Sequence, residues 1–473
     1  MFKSVLISVI LILPLTAGVR NLTLSDALGI LDRKNLEIKI SKFEETMKKY
    51  EELAVEGMNY GKVDIELKAL RSNDAGNVFG FKLQSREADF GDFGFSDFLG
   101  PMGNVMELMN QYPGQLPPGF TRGMGSLLEV QPRDLNYPEA RNHFVTTITY
   151  QLPVYTGGKL TAYRDITRKM YEMSLLDTRK LRNQKIYQVK KTFYDISLVN
   201  KYISNLTKIK RNIEKLKRII VEMKKEGYTK ITDIYEVDAR LSQVLSMLNQ
   251  AYLNRDLAYQ FLSFLLDTEV SSIKSVSLDT PVPVIKKSDI ERLSLDIVKA
   301  KTGREISQLA IDAEKANFLP TVGAFAQYGS ADNILWNDFT KKDSYTIGVQ
   351  VKWNIFNGGT DKANLEKARV NLMKVSSQVE LAKKGISLQV KKLQTAIKSL
   401  DYDIESHKKQ LRLAKRVYKT YEEKYKEGLS SITDVLIKQA RELEVLLGLL
   451  KVANERNAKV FELESILDLG GNS

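Results

Sequence analysis

The 473-residue chain has no cysteine, only two histidines and two tryptophans, and no long apolar run beyond its first residues. Without cysteine there are no disulfides, thiolate metal sites or cysteine nucleophiles, and no lipid can be attached to a cysteine behind the leader. Without a later apolar run there is no transmembrane helix, so residence in a membrane would have to be as a β-barrel. His143 and His407 stand apart from any spaced set of ligands, so no metal site is expected. Gly123-x-Gly125 lacks the third glycine of a dinucleotide fingerprint, and there is no phosphate-binding loop. Neither an enzyme constellation nor a cofactor is expected.

The chain opens with Lys3, an apolar run from Val5 to Leu15, and the small residues Thr16-Ala17-Gly18. This is the layout of a secretory signal peptide over 1–18, too short to serve as a membrane anchor. The net charge of +13 comes from lysines spread along helical stretches rather than gathered with aromatics. That pattern describes solvated helix faces and not a nucleic-acid surface.

The strongest feature is an internal repeat. Leu152-Pro153-Val154-Tyr155-Thr156-Gly157-Gly158-Lys159 returns as Trp353-Asn354-Ile355-Phe356-Asn357-Gly358-Gly359-Thr360. Glu226-Gly227 through Ile231-Thr232-Asp233 returns as Glu427-Gly428 through Ile432-Thr433-Asp434. Gly157 and Gly358 stand 201 positions apart, as do Gly227 and Gly428. The chain therefore divides into a first repeat (19–267), a linker (268–288), a second repeat (289–467) and a tail (468–473).

Each repeat begins with a helical stretch, about Asn35–Gly57 and Asp289–Phe318, and Pro320 ends the second. Two strands follow in each, 62–72 with 143–154 and 321–329 with 344–355, alternating apolar with mostly polar residues. Their length suits a tilted strand crossing a bilayer, and aromatics such as Tyr155, Tyr328, Tyr345 and Trp353 lie near their ends. The Gly157-Gly158 and Gly358-Gly359 pairs then turn the chain into proline-free helices, 159–226 and 360–427, each roughly 100 Å long at about 1.5 Å per residue. Such long, charged helices must stand in water and pack into a coiled-coil-like tube. Gly227 and Gly428 stop them, and Thr232-Asp233 and Thr433-Asp434 are expected to cap return helices over 233–266 and 434–467.

Four strands cannot close a barrel, and an open sheet would expose two unpaired edges to lipid. Three copies would supply twelve strands; two or four copies would also close. Residues 73–142 have no counterpart in the second repeat. They hold six of the eleven prolines and ten glycines, and read as an irregular loop on the outer side with a short helix around Val105–Gln111. The loop could be a lid, a surface contact or a self-packed decoration. The linker, with Pro281 and Pro283, is expected to belt the helices.

The repeated strand–aromatic–Gly-Gly–long-helix pattern, Asn317-Phe318-Leu319-Pro320, the paired Gly-to-Asp turns and the opening Leu22-Thr23-Leu24-Ser25-Asp26-Ala27-Leu28 resemble the TolC family of outer-membrane efflux and secretion channels. The resemblance runs from about Leu22 to Leu467. It implies an α+β membrane protein: a homotrimer whose four strands per chain form a twelve-stranded barrel in Gram-negative outer-membrane lipid, continued by a periplasmic α-helical barrel. It further implies a passive exit duct for a tripartite efflux pump or type I secretion system, docked to a periplasmic adaptor protein and an inner-membrane transporter. The helix turns would form a periplasmic gate. Asp434 would join a ring of carboxylates at the pore. The position where the family often carries a second aspartate is Ile437, so an apolar constriction is expected there. Tyr425 would hydrogen-bond Asp233, and Ser430 stands where some members carry a basic partner, leaving a latch of Tyr425, Thr232 and Asp233. The rival readings are a trimeric surface stalk or adhesin with a barrel anchor, and a soluble helical scaffold that binds nucleic acid. Strand pairs that interrupt the helices twice argue against the first, and the leader and barrel-type strands against the second.

Overall fold

The computed structural model describes residues 18–277 and 279–469, so all of the expected leader except Gly18 lies outside the described residues. The chain begins α1 (Leu24–Lys34), α2 (Leu36–Gly57), β1 (Lys62–Ser72), α3 (Ala75–Gln84), α4 (Phe95–Gln111), α5 (Phe120–Leu128), α6 (Arg133–Asn136) and β2 (Arg141–Tyr155). It continues α7 (Lys159–Lys225), α8 (Ile231–Leu266), α9 (Lys287–Leu293), α10 (Leu295–Lys315), β3 (Thr321–Asp332), β4 (Asp343–Lys352), α11 (Thr360–Lys426) and α12 (Ile432–Ile466). Two compact units result. One holds Glu52–Asp165 with Leu309–Ala368; the other holds the chain up to Glu51, Ile166–Gln308, and the chain from Arg369.

The first unit is built on an antiparallel sheet in the order β1-β2-β3-β4, so β1 and β4 are both open edges. Because side chains alternate across a strand, the register decides which residues share a face. Val63 pairs with Tyr150, Tyr150 with Ala326 and Ala326 with Ile347; Ile65, Ile148, Tyr328 and Tyr345 form the next row. One face is thus apolar across all four strands, and Val63, Ile65, Tyr345, Ile347 and Val349 on it are strongly exposed. The opposite face carries Asp64, Thr149, Gln327 and Thr346 in one row. Phe325 is the aromatic there, and its ring fills the space that a Cβ on Gly348 would need, 2.6 Å away.

Two strand limits differ from the sequence reading by three residues. β3 runs past 329 to Asp332, because Ser330, Ala331 and Asp332 pair with Thr146, Val145 and Phe144 of the longer β2. β4 stops at Lys352 instead of 355, because its partner β3 begins at Thr321, just after Pro320, and nothing pairs with Trp353 to Ile355. Trp353 instead donates its indole N–H to the Phe318 carbonyl at 3.1 Å.

The insert at 73–142 is not an irregular loop. It contains α3 to α6, with Val78, Phe81, Val105 and Leu127 buried. Asp74 caps α3 by accepting from the Asn77 N–H at 3.0 Å. The Phe81 ring stacks on His143 of β2 at 4.0 Å between centroids, and the imidazole Nε2 lies 2.8 Å from Gln84 Oε1. Just beyond α3, Glu87 accepts from both Arg141 and Lys342, and Lys342 also reaches Asp332 at 2.7 Å. This cluster ties the insert to the ends of β2, β3 and β4. Burial alone would raise the Glu87 carboxyl, but the Lys342 and Arg141 hydrogen bonds outweigh it and hold its pKa below the ordinary carboxylate value. A carboxyl depressed on folding contributes stability above its unfolded pKa and loses it as pH falls through the folded one. Hydrogen exchange over α3 should therefore quicken as pH drops below about 4.5, after correction for intrinsic exchange. Glu87→Gln should remove that dependence; an unchanged profile in the variant would show that Glu87 is not its source.

In the helical unit the cores follow the repeat. One cluster is built from the first repeat and the start of the linker, with Leu31, Ile38, Val189, Phe193, Ile196, Leu262, Leu266, Val270 and Ile273. A second lies wholly in linker and second-repeat residues, with Ile290, Ile297, Val390, Ile397, Leu463 and Leu467. A third, nearer the helix turns, mixes both halves: Leu206, Ile213 and Val244 with Tyr425, Val435 and Leu443. At the level of the first two clusters, the halves meet mainly through polar pairs. Examples are Lys190–Glu464 at 2.9 Å and Lys180–Asp296 at 2.5 Å, beside one aromatic pair, Tyr194–Phe461.

The first expected helix, 35–57, is α2, with α1 ahead of it, and the second, 289–318, is broken. Asn35 separates α1 from α2; its side-chain oxygen accepts from the Ile38 N–H at 2.9 Å and its amide donates to the Leu265 carbonyl at 2.8 Å. Ser294, buried and extended, makes the equivalent break between α9 and α10. The start of the linker pairs with the first described residues, Val270 with Val19 and Ile273 with Leu22, in parallel bridges. Among the described residues no helix is long and apolar enough to cross a membrane.

Candidate functional site

Four glycine-marked turns organise the candidate site. Gly157, Gly158, Gly358 and Gly359 all take positive φ, between 65° and 87°, where a side chain is strained. Gly157 has a second reason to be glycine: a Cβ there would stand 2.8 Å from the Ala316 carbonyl oxygen. Lys159, at the start of α7, donates to Asn317 Oδ1 at 2.9 Å and ties this turn to the segment before β3.

At the other pair of turns, α7 and α11 stop by the same device. Gly227 and Gly428 are left-handed, with φ 83° and 74°. Tyr228 donates to the Met223 carbonyl and Gly227 to Lys224; Leu429 donates to Lys424 and Gly428 to Tyr425. These paired bonds satisfy the last carbonyls of each helix. The return helices start earlier than expected, at Ile231 and Ile432, so Thr232-Asp233 and Thr433-Asp434 lie inside the first turn. Their caps are Lys230 and Ser431. Ser431 and Asp434 form a reciprocal box: the Asp434 N–H donates to Ser431 Oγ at 3.1 Å and the Ser431 N–H donates to Asp434 Oδ2 at 3.2 Å. The Ser431 hydroxyl adds a bond to the same oxygen at 2.6 Å, and Ser430 lies 3.5 Å from it. The Ser431 hydroxyl and then its N–H hold the Asp434 carboxyl below the ordinary range, so it is charged at neutral pH. In the first turn Lys230 offers no side-chain acceptor, and only the return bond to Asp233 remains, at 3.4 Å.

The expected hydrogen bond from Tyr425 to Asp233 or Thr232 is not formed in this conformation. The Tyr425 hydroxyl is buried without a partner among the described residues, packed with Ile432, Val435 and Leu436. Burial, and then the nearby Asp233 carboxylate, push its pKa up. Burial likewise pushes the Tyr418 phenol up to about 12. Thr232 and Ile437 are exposed. The bond that does join the two turns is one that sequence reasoning missed: the Thr433 hydroxyl donates to Glu236 Oε2 at 2.6 Å.

The protomer carries a sheet with one apolar face and two open edges, and two helices of 67 residues. Residues 288–468 match the family model described as outer membrane efflux protein. The chain is 22% identical over 227 residues to Outer membrane protein TolC of Escherichia coli K12, a match covering 44% of this chain and 46% of that protein. Among solved structures, CusC superposes with a TM-score of 0.74 at 13% identity, covering 94% of this chain and 91% of that one. The CmeC outer membrane channel of Campylobacter jejuni superposes with a TM-score of 0.74 at 15% identity, covering 95% and 86%. The family model thus covers residues 288–468, the chain spans about half the length of the curated relative it matches, and the solved structures share its fold over most of its length.

Proposed function

We propose that three copies of the chain form an outer-membrane channel. It would serve as the passive exit duct of an efflux pump or type I secretion system, joined by a periplasmic adaptor to an inner-membrane transporter that supplies the energy. The apolar sheet face carries this reading. Water would penalise so much exposed apolar surface, whereas lipid would not. The open edges of β1 and β4 call for neighbouring copies, since lipid cannot satisfy their backbone groups. Three copies give the twelve strands of a closed barrel.

The helix turns are the proposed gate. Asp434 is charged and shares its turn with exposed Ile437; three copies would place three carboxylates and three apolar side chains around one passage. The unpartnered Tyr425 hydroxyl supports a latch completed on assembly, because a buried hydroxyl left unbonded costs roughly 1–3 kcal/mol. Planar-bilayer recording of the reconstituted protein tests the whole reading. A large conductance, mostly closed and cation-preferring, is expected; a folded oligomer without conductance would sink it. Asp434→Asn should lower the cation preference, and Tyr425→Phe should raise closed-state leakage. Unchanged leakage would remove Tyr425 from the gate.

A further inference from the structure

The insert offers an apolar seam that stays largely open in the protomer, although Phe95 at its start meets the rings of Phe90 and Phe98. Along α4, Phe95, Leu99, Met102, Met106 and Met109 follow one another at spacings of four, three, four and three residues, the repeat of a coiled-coil interface. Four of the five are open in the protomer, at 47%, 54%, 59% and 47% exposure for Phe95, Leu99, Met106 and Met109. The helix is not short of internal packing, because a separate stripe containing buried Val105 faces Gly123 of α5.

The position of the insert indicates what the seam meets. His143 alternates with Phe144 on β2 and so lies on the polar face of the sheet, with Thr147 and Thr149. Phe81 of α3 stacks on that face. If the apolar face meets lipid, the polar face lines the barrel interior, and α3 seats the insert at its outer end. α4 is fastened to this seat. Lys82 of α3 pairs with Asp92, in the turn leading to α4, and Asp97 of α4 accepts the Arg133 N–H of α6 at 2.8 Å. Lipid is a poor occupant for the seam. Interfacial helices carry basic residues beside their apolar face, whereas the only charged residues of α4 are Asp97 and Glu107.

We propose that the α4 helices of the three protomers pack seam to seam about the barrel axis and plug the outer mouth of the channel. The occupant of each seam is another copy of this chain. The inference rests on the trimeric barrel reading above and adds to it a second barrier.

The cysteine-free sequence allows a direct test in the full-length protein. Leu99→Cys, Met106→Cys and Asn104→Cys are made singly, the last at an exposed position on the opposite side of α4. Each variant is reconstituted in vesicles, oxidised, and run on a denaturing non-reducing gel. Native mass spectrometry and bilayer conductance are recorded on the same samples. Leu99→Cys and Met106→Cys should give covalent dimers, two of three thiols joining, at roughly tenfold or more the yield of Asn104→Cys, because thiols held across a seam face each other at millimolar effective concentration. Conducting trimers in which all three variants cross-link equally poorly would overturn the plug and leave the channel standing. Thiols at 99 and 106 that react with a soluble maleimide only after detergent is added, without cross-linking, would place the seam in lipid and also overturn it. A protein that is not trimeric would overturn both readings.

Discussion

Ile347→Arg should abolish stable membrane assembly. Ile347 sits near the middle of β4 on the apolar face, in register with Ala326, and is exposed in the protomer. A cation on the lipid face of a barrel costs roughly 2–4 kcal/mol near the midplane, and a trimer would incur that cost three times. Its neighbour Thr346 lies on the polar face opposite Gln327, where a charge meets water, so Thr346→Arg should leave assembly intact. The check is the fraction of each variant recovered as heat-modifiable trimer from membranes. Equal recovery of the two would mean that the apolar face does not meet lipid.

The second large effect is expected at the duplicated cores. Leu262 and Leu463 are both fully buried and stand 201 positions apart, one in each half's own cluster. Truncating a buried leucine to alanine costs roughly 2–5 kcal/mol, depending on how far the cavity collapses. Leu262→Ala and Leu463→Ala should each lower stability by that amount. The double variant should lose nearly the sum, because sites without shared partners are close to additive. Denaturant unfolding of the detergent-solubilised protein measures all three; strong non-additivity would show that the halves share one core at this level.

The duplication was legible because it preserves chemistry at fixed spacing, and it reaches into the packing: Val189 and Val390, and Ile196 and Ile397, keep the same offset in separate clusters. The strands were legible wherever apolar and polar residues alternate. Ser330-Ala331-Asp332 fall out of phase with Val322, Ala324, Ala326 and Tyr328, and only pairing with β2 holds them in β3. The insert misled for a physical reason. Its glycines and prolines read as loop punctuation, yet Gly94 and Gly119 take left-handed φ just before α4 and α5, and Pro101 sits inside α4. Packing of Val78, Phe81 and Val105 decides the conformation there, and local propensity does not. At the candidate gate the glycines were readable as stops, but the Thr433–Glu236 bond joins residues 197 apart that share no periodic signal. Sequence could locate the turns but could not pair their side chains.

The distribution of contacts between the two halves gives them unequal sensitivities. Close to the turns the halves share apolar side chains, an adhesion that dissolved salt does not screen. Farther along, ion pairs such as Lys180–Asp296 carry much of the join, and ionic strength weakens exposed pairs of that kind. The four helices therefore resemble tongs riveted at one end. A rise in salt would free the handles while the rivet holds, and a displacement at the handles would be delivered to the turns as leverage.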